Sequence, residues 1–278
     1  MKTTLTKAFF AAFLLVLPAI LPAANTIISE DFNGTNGAAL AGRSPDLVNL
    51  PGTSYSVEGT MPTLDTTGIG NIPLGIALQS VASTSYNSAS WLSIAGTGGY
   101  VKPTILTVSA TIATASLSDD SNFTRGIGLG FFISAPQNGD ADASVKFTGL
   151  AVNVSSGQLY LMSNGVRITS YGHPYPAFST GGMDRLTYSI DTNTGSITSV
   201  FAGSNDISSF FTGATSAGIF TDSATNLVGF YGSSSNLGTT GYVGSLVVSS
   251  TSPVPEPVTL GLFGLGAVLL ASRRRRWR

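Results

Sequence analysis

His173 is the only histidine in this chain, and there is no cysteine. Nucleophilic catalysis of the Ser-His-Asp or Cys-His kind would have to pass through that one residue. It sits in Tyr171-Gly172-His173-Pro174-Tyr175-Pro176, and no Gly-x-Ser-x-Gly elbow precedes a helix. A histidine in a proline-rich turn is the simpler expectation. The same two counts remove disulfides and the usual zinc sites, which draw on thiolates and imidazoles. Carboxylates remain. Asp119 with Asp120, and Asp140 with Asp142, fall in polar stretches where solvated turn residues are expected rather than a catalytic pair. Asn138, Asp140 and Asp142 alternate in a Gly-containing stretch and offer the hard oxygen ligands that calcium prefers, without a terminal bidentate glutamate. No cofactor other than such a structural calcium is expected. A sugar would need aromatic platforms beside polar groups. Trp91, Tyr171 and Tyr175 are the candidates, with Tyr86 and Tyr100 behind them, and Tyr171 and Tyr175 flank His173. Rings of this kind more often fill a core.

The elements that would position these residues read as short strands. Leu106, Val108, Ala110 and Ile112 alternate with Thr107, Ser109 and Thr111, the period of a strand with one buried face. Ile127, Leu129, Phe131 and Ile133 alternate with glycines and a phenylalanine. Leu150–Val154 and Gln158–Ser163 flank Ser155-Ser156-Gly157, and Gln158–Ser163 meets Val166–Ser170 across Asn164-Gly165, a pair that tolerates positive φ and so favours a tight hairpin. Leu186, Tyr188 and Ile190 run into an Asp191-Thr192-Asn193-Thr194-Gly195 turn. Ile197–Phe201, Leu227–Tyr231 and Tyr242–Val248 follow, and only Asp206–Phe211 hints at a helical turn. A composition rich in Ser, Thr, Gly, Val and Ile agrees with strands and turns. The fold class expected is all-β, a β-sandwich or barrel over residues 25–248.

The two ends differ from this body. Lys2 and Lys7 flank a basic start, Ala8–Leu17 is apolar, and small residues follow at Ala23 and Ala24, which reads as a signal peptide over residues 1–24. At the other end stand Pro253-Val254-Pro255-Glu256-Pro257, an uncharged run from Val258 to Ala271, and Arg273-Arg274-Arg275-Arg276-Trp277-Arg278. Prolines keep the first stretch extended. As a helix, residues 258–271 would reach about 21 Å, short of a hydrocarbon core of about 30 Å. The arginine cluster Arg273, Arg274, Arg275 and Arg276 would stay cytoplasmic, leaving the preceding chain on the far side of the membrane. Residues 249–252, Ser-Ser-Thr-Ser, read as a short linker. Residues 25–252 hold six basic and thirteen acidic residues, a net of −7, without the clustered Lys and Arg that a phosphate backbone needs. Nucleic acid is excluded as an expected partner.

The tail, with Pro255, Glu256 and Pro257 ahead of a Gly-containing apolar segment and a terminal Arg cluster, resembles the PEP-CTERM sorting domain of Gram-negative bacteria. That resemblance implies recognition by a membrane-embedded exosortase, removal of residues 253–278 during export, and a destination in the cell envelope or extracellular matrix. It also implies extracellular polysaccharide as a partner, since exosortase systems tend to accompany its production. The body resembles concanavalin A-like, laminin-G-like jelly rolls, on strand order and on Asp184-Arg185-Leu186-Thr187-Tyr188-Ser189-Ile190-Asp191 leading into an Asp-x-x-x-Gly turn. This implies a jelly-roll-like sandwich whose opening strand, Ile27–Phe32, pairs with its last, Tyr242–Val248. Glycoside hydrolases of that group carry Glu-x-Asp-x-x-Glu on one strand. Glu30 and Glu58, the body's two glutamates, are not in that pattern. The expectation is therefore an exported, non-catalytic protein that binds polysaccharide. The alternatives are a divergent polysaccharide hydrolase or lyase using aspartates, and a purely structural or adhesive matrix protein.

Overall fold

The computed structural model describes residues 24–48, 53–59, 63–65, 75–79, 86–94, 105–115, 126–135, 147–153, 157–175, 183–215, 227–234 and 240–251. The strands run in chain order as β1 (Ala24–Glu30), β2 (Leu47–Val48), β3 (Ser56–Gly59), β4 (Thr63–Asp65) and β5 (Gly75–Gln79). Then come β6 (Tyr86–Ser93), β7 (Ile105–Ala115), β8 (Gly126–Phe132), β9 (Phe147–Asn153), β10 (Gln158–Ser163) and β11 (Val166–Pro174). The remainder among the described residues are β12 (Met183–Asp191), β13 (Ile197–Ala202), β14 (Asn205–Asp206), β15 (Leu227–Ser234) and β16 (Thr240–Thr251), with a 3-10 turn at Ser208–Phe211. All pairings are antiparallel and fall into two sheets. A nine-stranded sheet runs β14-β13-β12-β7-β16-β1-β2, with β5 also on β16 and β4 on β5; a seven-stranded sheet runs β11-β10-β9-β8-β15-β6-β3.

One core joins the two sheets. Alternate residues of β7 (Leu106, Val108, Ala110, Ile112) and β12 (Leu186, Tyr188, Ile190) enter it from the nine-stranded sheet, and Ile127, Leu129 and Phe131 of β8 and Val228 and Phe230 of β15 enter it from the other. All are 3% exposed or less. Full burial of each large side chain contributes roughly 1.5–3 kcal/mol against exposure. The period-2 pattern in the sequence is the physical origin of this arrangement. The all-β sandwich expected from it is what the chain forms.

The opening strand pairs with the last, Ala24 opposite Thr251 and Glu30 opposite Leu246. A bulge between Thr26 and Ile28 lets consecutive isoleucines, Ile27 and Ile28, both be buried. A second bulge, between Gly244 and Val247 of β16, carries Ser245 at φ 50°. β16 lies between β7 and β1 and runs to Thr251, with Ser249 and Ser250 opposite Thr107 and Leu106. Residues 249–251 are therefore paired strand, a correction to the flexible linker expected there. Four polar residues in a row carried no apolar alternation, so periodicity could not see a strand fixed by backbone hydrogen bonds on both sides. The short strands between residues 40 and 80 carry too little alternation to be read from sequence; β2 to β5 are five residues or shorter.

The β10–β11 hairpin turns through Asn164 (φ 50°) and Gly165 (φ 75°), as a two-residue turn of this hand requires. β11 then slips. Tyr160 lies opposite Gly172 but Leu161 lies opposite Ile168, so residues 169–171 have no partner position on β10. This wide bulge distorts the outermost strand of its sheet and discourages pairing with another chain.

Residues 1–23, with the expected leader, and 252–278, with the expected apolar helix and arginine cluster, lie outside the described residues. Among the described residues no helix is long and apolar enough to cross a membrane.

Candidate functional site

The open side of the sandwich, where β11 meets β14 and the 3-10 turn, gathers the chemistry that the sequence spread over 40 residues. Asp206 precedes the turn, and its Oδ1 accepts from Ser208 N at 2.9 Å and from Ser208 Oγ. These bonds hold the Asp206 carboxyl below the usual aspartate range. Two consecutive phenylalanines follow. Phe211 is fully buried, whereas Phe210 is 47% exposed. The His173 ring stacks on Phe210, with centroids 3.7 Å apart and planes 22° from parallel. His173 thus belongs to β11 and to an aromatic stack, a correction to the proline-loop histidine expected from sequence. The ring contact comes from a segment some 35 residues away, which no local pattern reveals.

Tyr175, just past β11, clamps the two sheets. Its hydroxyl lies 3.0 Å from Asp184 Oδ2 on β12 and 3.0 Å from the Ala202 carbonyl on β13, and it accepts from Asn205 Nδ2 at 2.9 Å. Partial burial and the neighbouring Asp184 carboxylate raise the phenol above its ordinary range. Gly203 makes room for this arrangement. It adopts φ 59°, and a Cβ there would stand 2.7 Å from both Asp184 carboxylate oxygens. Tyr171, re-aimed by the β11 bulge, is half-buried against the core near Gly213. Tyr171, His173 and Tyr175 thus share one edge with Phe210 and Asn205, two residues that sequence reasoning did not single out.

Trp91 is elsewhere. It lies on β6, separated from β11 by four strands, and is 8% exposed among Ala89, Phe132, Phe147, Ala151, Tyr160, Met162 and Tyr231. This second cluster covers the face of the seven-stranded sheet turned away from the main core. Trp91 packs 6.0 Å from Phe132, centroid to centroid, so it serves there as a core residue. Asn138, Asp140 and Asp142, the calcium ligands expected from sequence, lie outside the described residues.

A different acidic group forms at the end of β1. The Glu30, Asp31 and Asp46 carboxylates come within 4.8 Å of one another and could hold a metal ion. Arg43 already stands among them. Its Nη2 donates to Glu30 Oε1 at 3.0 Å, to Asp46 Oδ1 at 3.3 Å and to Asn33 Oδ1 at 3.4 Å. The guanidinium therefore fills the role a cation would take, and a divalent ion beside it would meet like-charge repulsion. Burial raises the Glu30 carboxyl, outweighing the hydrogen bonds from Arg43 and from the Phe32 amide. Phe32 itself sits at φ 58°, held there by its bond to Glu30 Oε1 (2.8 Å) and by its ring against Tyr55 and Phe230. Among the described residues the buried Tyr55 hydroxyl next to this corner has no hydrogen-bond partner, and desolvation pushes its pKa well up.

Comparison with solved structures finds similarity to lectin II from Ulex europaeus (TM-score 0.49, 15% identity, covering 82% of this chain and 100% of that one). Arcelin-5, a lectin-like defence protein from Phaseolus vulgaris, gives TM-score 0.48 at 11% identity, covering 82% of this chain and 98% of that one. The carbohydrate recognition domain of Emp47p gives TM-score 0.48 at 10% identity, covering 81% and 96%. These are likenesses of sheet arrangement, and no site residue is carried across from them. No curated protein matches the chain. A family model matches the tail: residues 253–276, from the first proline to the arginine cluster, match the PEP-CTERM protein-sorting motif.

Proposed function

We propose that this chain is an exported, non-catalytic envelope or matrix protein, sorted by an exosortase through its tail, whose sandwich binds extracellular polysaccharide. The match of residues 253–276 to the sorting motif carries the reading. The leader over residues 1–24 supports it, because export and a cytoplasmic arginine cluster put residues 25–252 on the same far side of the membrane. So does the register of β1 with β16. The strand ends that continue into the leader and the tail are neighbours, Ala24 opposite Thr251.

The non-catalytic part rests on how the described carboxylates are used. Glu30 and Asp46 pair with Arg43, and Asp184 meets Tyr175. Asp31, Asp191 and Asp206 accept backbone N–H groups two residues on, as turn-forming aspartates do. Such groups are engaged in holding the fold rather than poised as an acid–base pair. Calcium on Asn138, Asp140 and Asp142 belongs to the same reading. Chelation should then lower the melting temperature and added calcium restore it; an unchanged melting curve removes the ion.

The sorting step is tested by fractionating the producing cell and weighing the mature protein. The expected product has lost both its leader and the segment after Thr251 and is found beyond the inner membrane. It should accumulate unprocessed when the sorting enzyme is deleted. An intact chain in the cytosol would overturn the proposal.

A further inference from the structure

The 3-10 turn sets two consecutive phenylalanines to opposite uses. Phe211 is wholly buried and anchors the turn in the main core, so the turn is secured without its neighbour. Phe210 nevertheless stays 47% exposed and is backed by His173 at a ring separation of 3.7 Å. An exposed ring made rigid by a second ring behind it is a flat, apolar, pre-ordered surface of low entropy cost on binding. Polar groups border it. Asn205 is exposed with its amide nitrogen tied to Tyr175, which fixes the orientation of its carbonyl, and Ser209 and Thr212 are exposed on either side of Phe210. An apolar plate rimmed by fixed amide and hydroxyl groups suits a pyranose, which has a C–H face and equatorial hydroxyls around it.

Charge narrows the class. Among the described residues, Asp184 meets the Tyr175 hydroxyl and Asp206 opens the turn that carries Phe210. Arg185, the adjacent cation in sequence, alternates away from Asp184 to the outward side of β12. A uronate or other anionic polymer would face these carboxylates with no compensating Lys or Arg beside them among the described residues, and a neutral sugar would not. Among the described residues β14 is the outermost strand of its sheet and pairs with β13 alone, so a chain longer than one sugar can continue past it.

We propose that the Phe210–His173 stack, with Asn205 at its rim, is the contact point for an uncharged polysaccharide. This rests on the polysaccharide reading above and assigns it a place and a ligand class.

The intact chain, purified in mild detergent, is tested by affinity electrophoresis against three neutral polymers (a β-glucan, a galactomannan and a xylan) and one polyuronate. At least one neutral polymer should retard it, and the polyuronate should not. Phe210→Leu, which keeps an apolar side chain but removes the ring, should weaken binding about tenfold, with melting temperature unchanged. His173→Ala should weaken it less, by removing the backing ring, and Phe210→Trp should strengthen it. Binding to a neutral polymer that survives both Phe210→Leu and His173→Ala overturns this site and leaves the polysaccharide reading standing. Binding to the polyuronate alone overturns the ligand class. Retardation by none of the four sinks the site and the polysaccharide reading together.

Discussion

On the outward face of the nine-stranded sheet, Thr26, Ser249, Thr107, Ser189 and Ser199 line up in one row across β1, β16, β7, β12 and β13. The adjacent row brings Ser29, Val247, Ser109, Thr187 and Phe201 together. Cross-strand hydroxyls bond each other, Thr107 to Ser189 and Ser109 to Thr187, both at 2.8 Å. On the seven-stranded sheet the outward face is aromatic. Phe147 meets Tyr231 edge-on at 4.6 Å and Phe132 at 5.5 Å, and the Tyr231 hydroxyl donates to Met162 Sδ. Gly128 makes that face possible, since a Cβ there would stand 2.1 Å from the Tyr231 ring. One sheet has a single apolar face and reads as strict alternation. The other is buried on both faces and reads as near-continuous apolar strands such as Phe147–Asn153, buried at every position. The seven-stranded sheet carries apolar side chains on both faces, and this contrast decides which substitutions the molecule tolerates.

The contrast can be broken most sharply at Phe147. Phe147→Ala should cost about 3–5 kcal/mol, since a buried ring is deleted between two others. Urea unfolding followed by circular dichroism measures it, and a loss under 1 kcal/mol would mean the aromatic face is not packed. Gly128→Ala should cost about 2–3 kcal/mol by overpacking the same rings, with Tyr231→Ala in the background relieving part of the loss.

The buried ion pair at the corner of β1 tests whether a polar group inside the fold behaves as the outward hydroxyls do. Arg43→Met should cost about 2 kcal/mol, below the figure for a fully dry pair because Arg43 is partly exposed. Its pH dependence has a definite sign. The folded state holds the Glu30 carboxyl above its ordinary value of 4.5, so folding takes up a proton there. That stabilisation is complete below 4.5 and is lost as pH rises through the raised folded value. Glu30→Gln should remove this downward step from the stability–pH curve, and a step that persists would assign it to another group.

The smallest effect belongs to the hydroxyl rows. A double-mutant cycle of Ser109→Ala and Thr187→Ala should give a coupling of about 0.5 kcal/mol, because water can replace a part-buried hydrogen bond on the Thr187 side. A coupling above 2 kcal/mol would make the rows structural in the way the aromatic face is.

Much of the fold was legible beforehand because alternation is a local property. Leu106 to Ile112, Leu186 to Ile190 and the Asn164-Gly165 turn each carry their conformation in neighbouring residues. Residues 249–251 did not, since Ser-Ser-Thr is strand only through what it pairs with. The candidate site was half legible. Tyr171, His173 and Tyr175 could be singled out as a cluster, but Trp91 read the same way and is core. Nothing local separates a ring on a sheet's covered face from a ring on an open edge.

The sequence alone determined the period-2 strands, the acidic, thiol-free body and the tail that matches a sorting motif, because each depends on residue type and near neighbours. Tertiary structure decided the rest. Which of Phe210 and Phe211 is buried, which ring backs Phe210, and how Glu30 comes to share Arg43 with Asp46 follow from segments brought together across two sheets. Sequence separation carries no record of that meeting, since burial depends on what the fold places above a side chain.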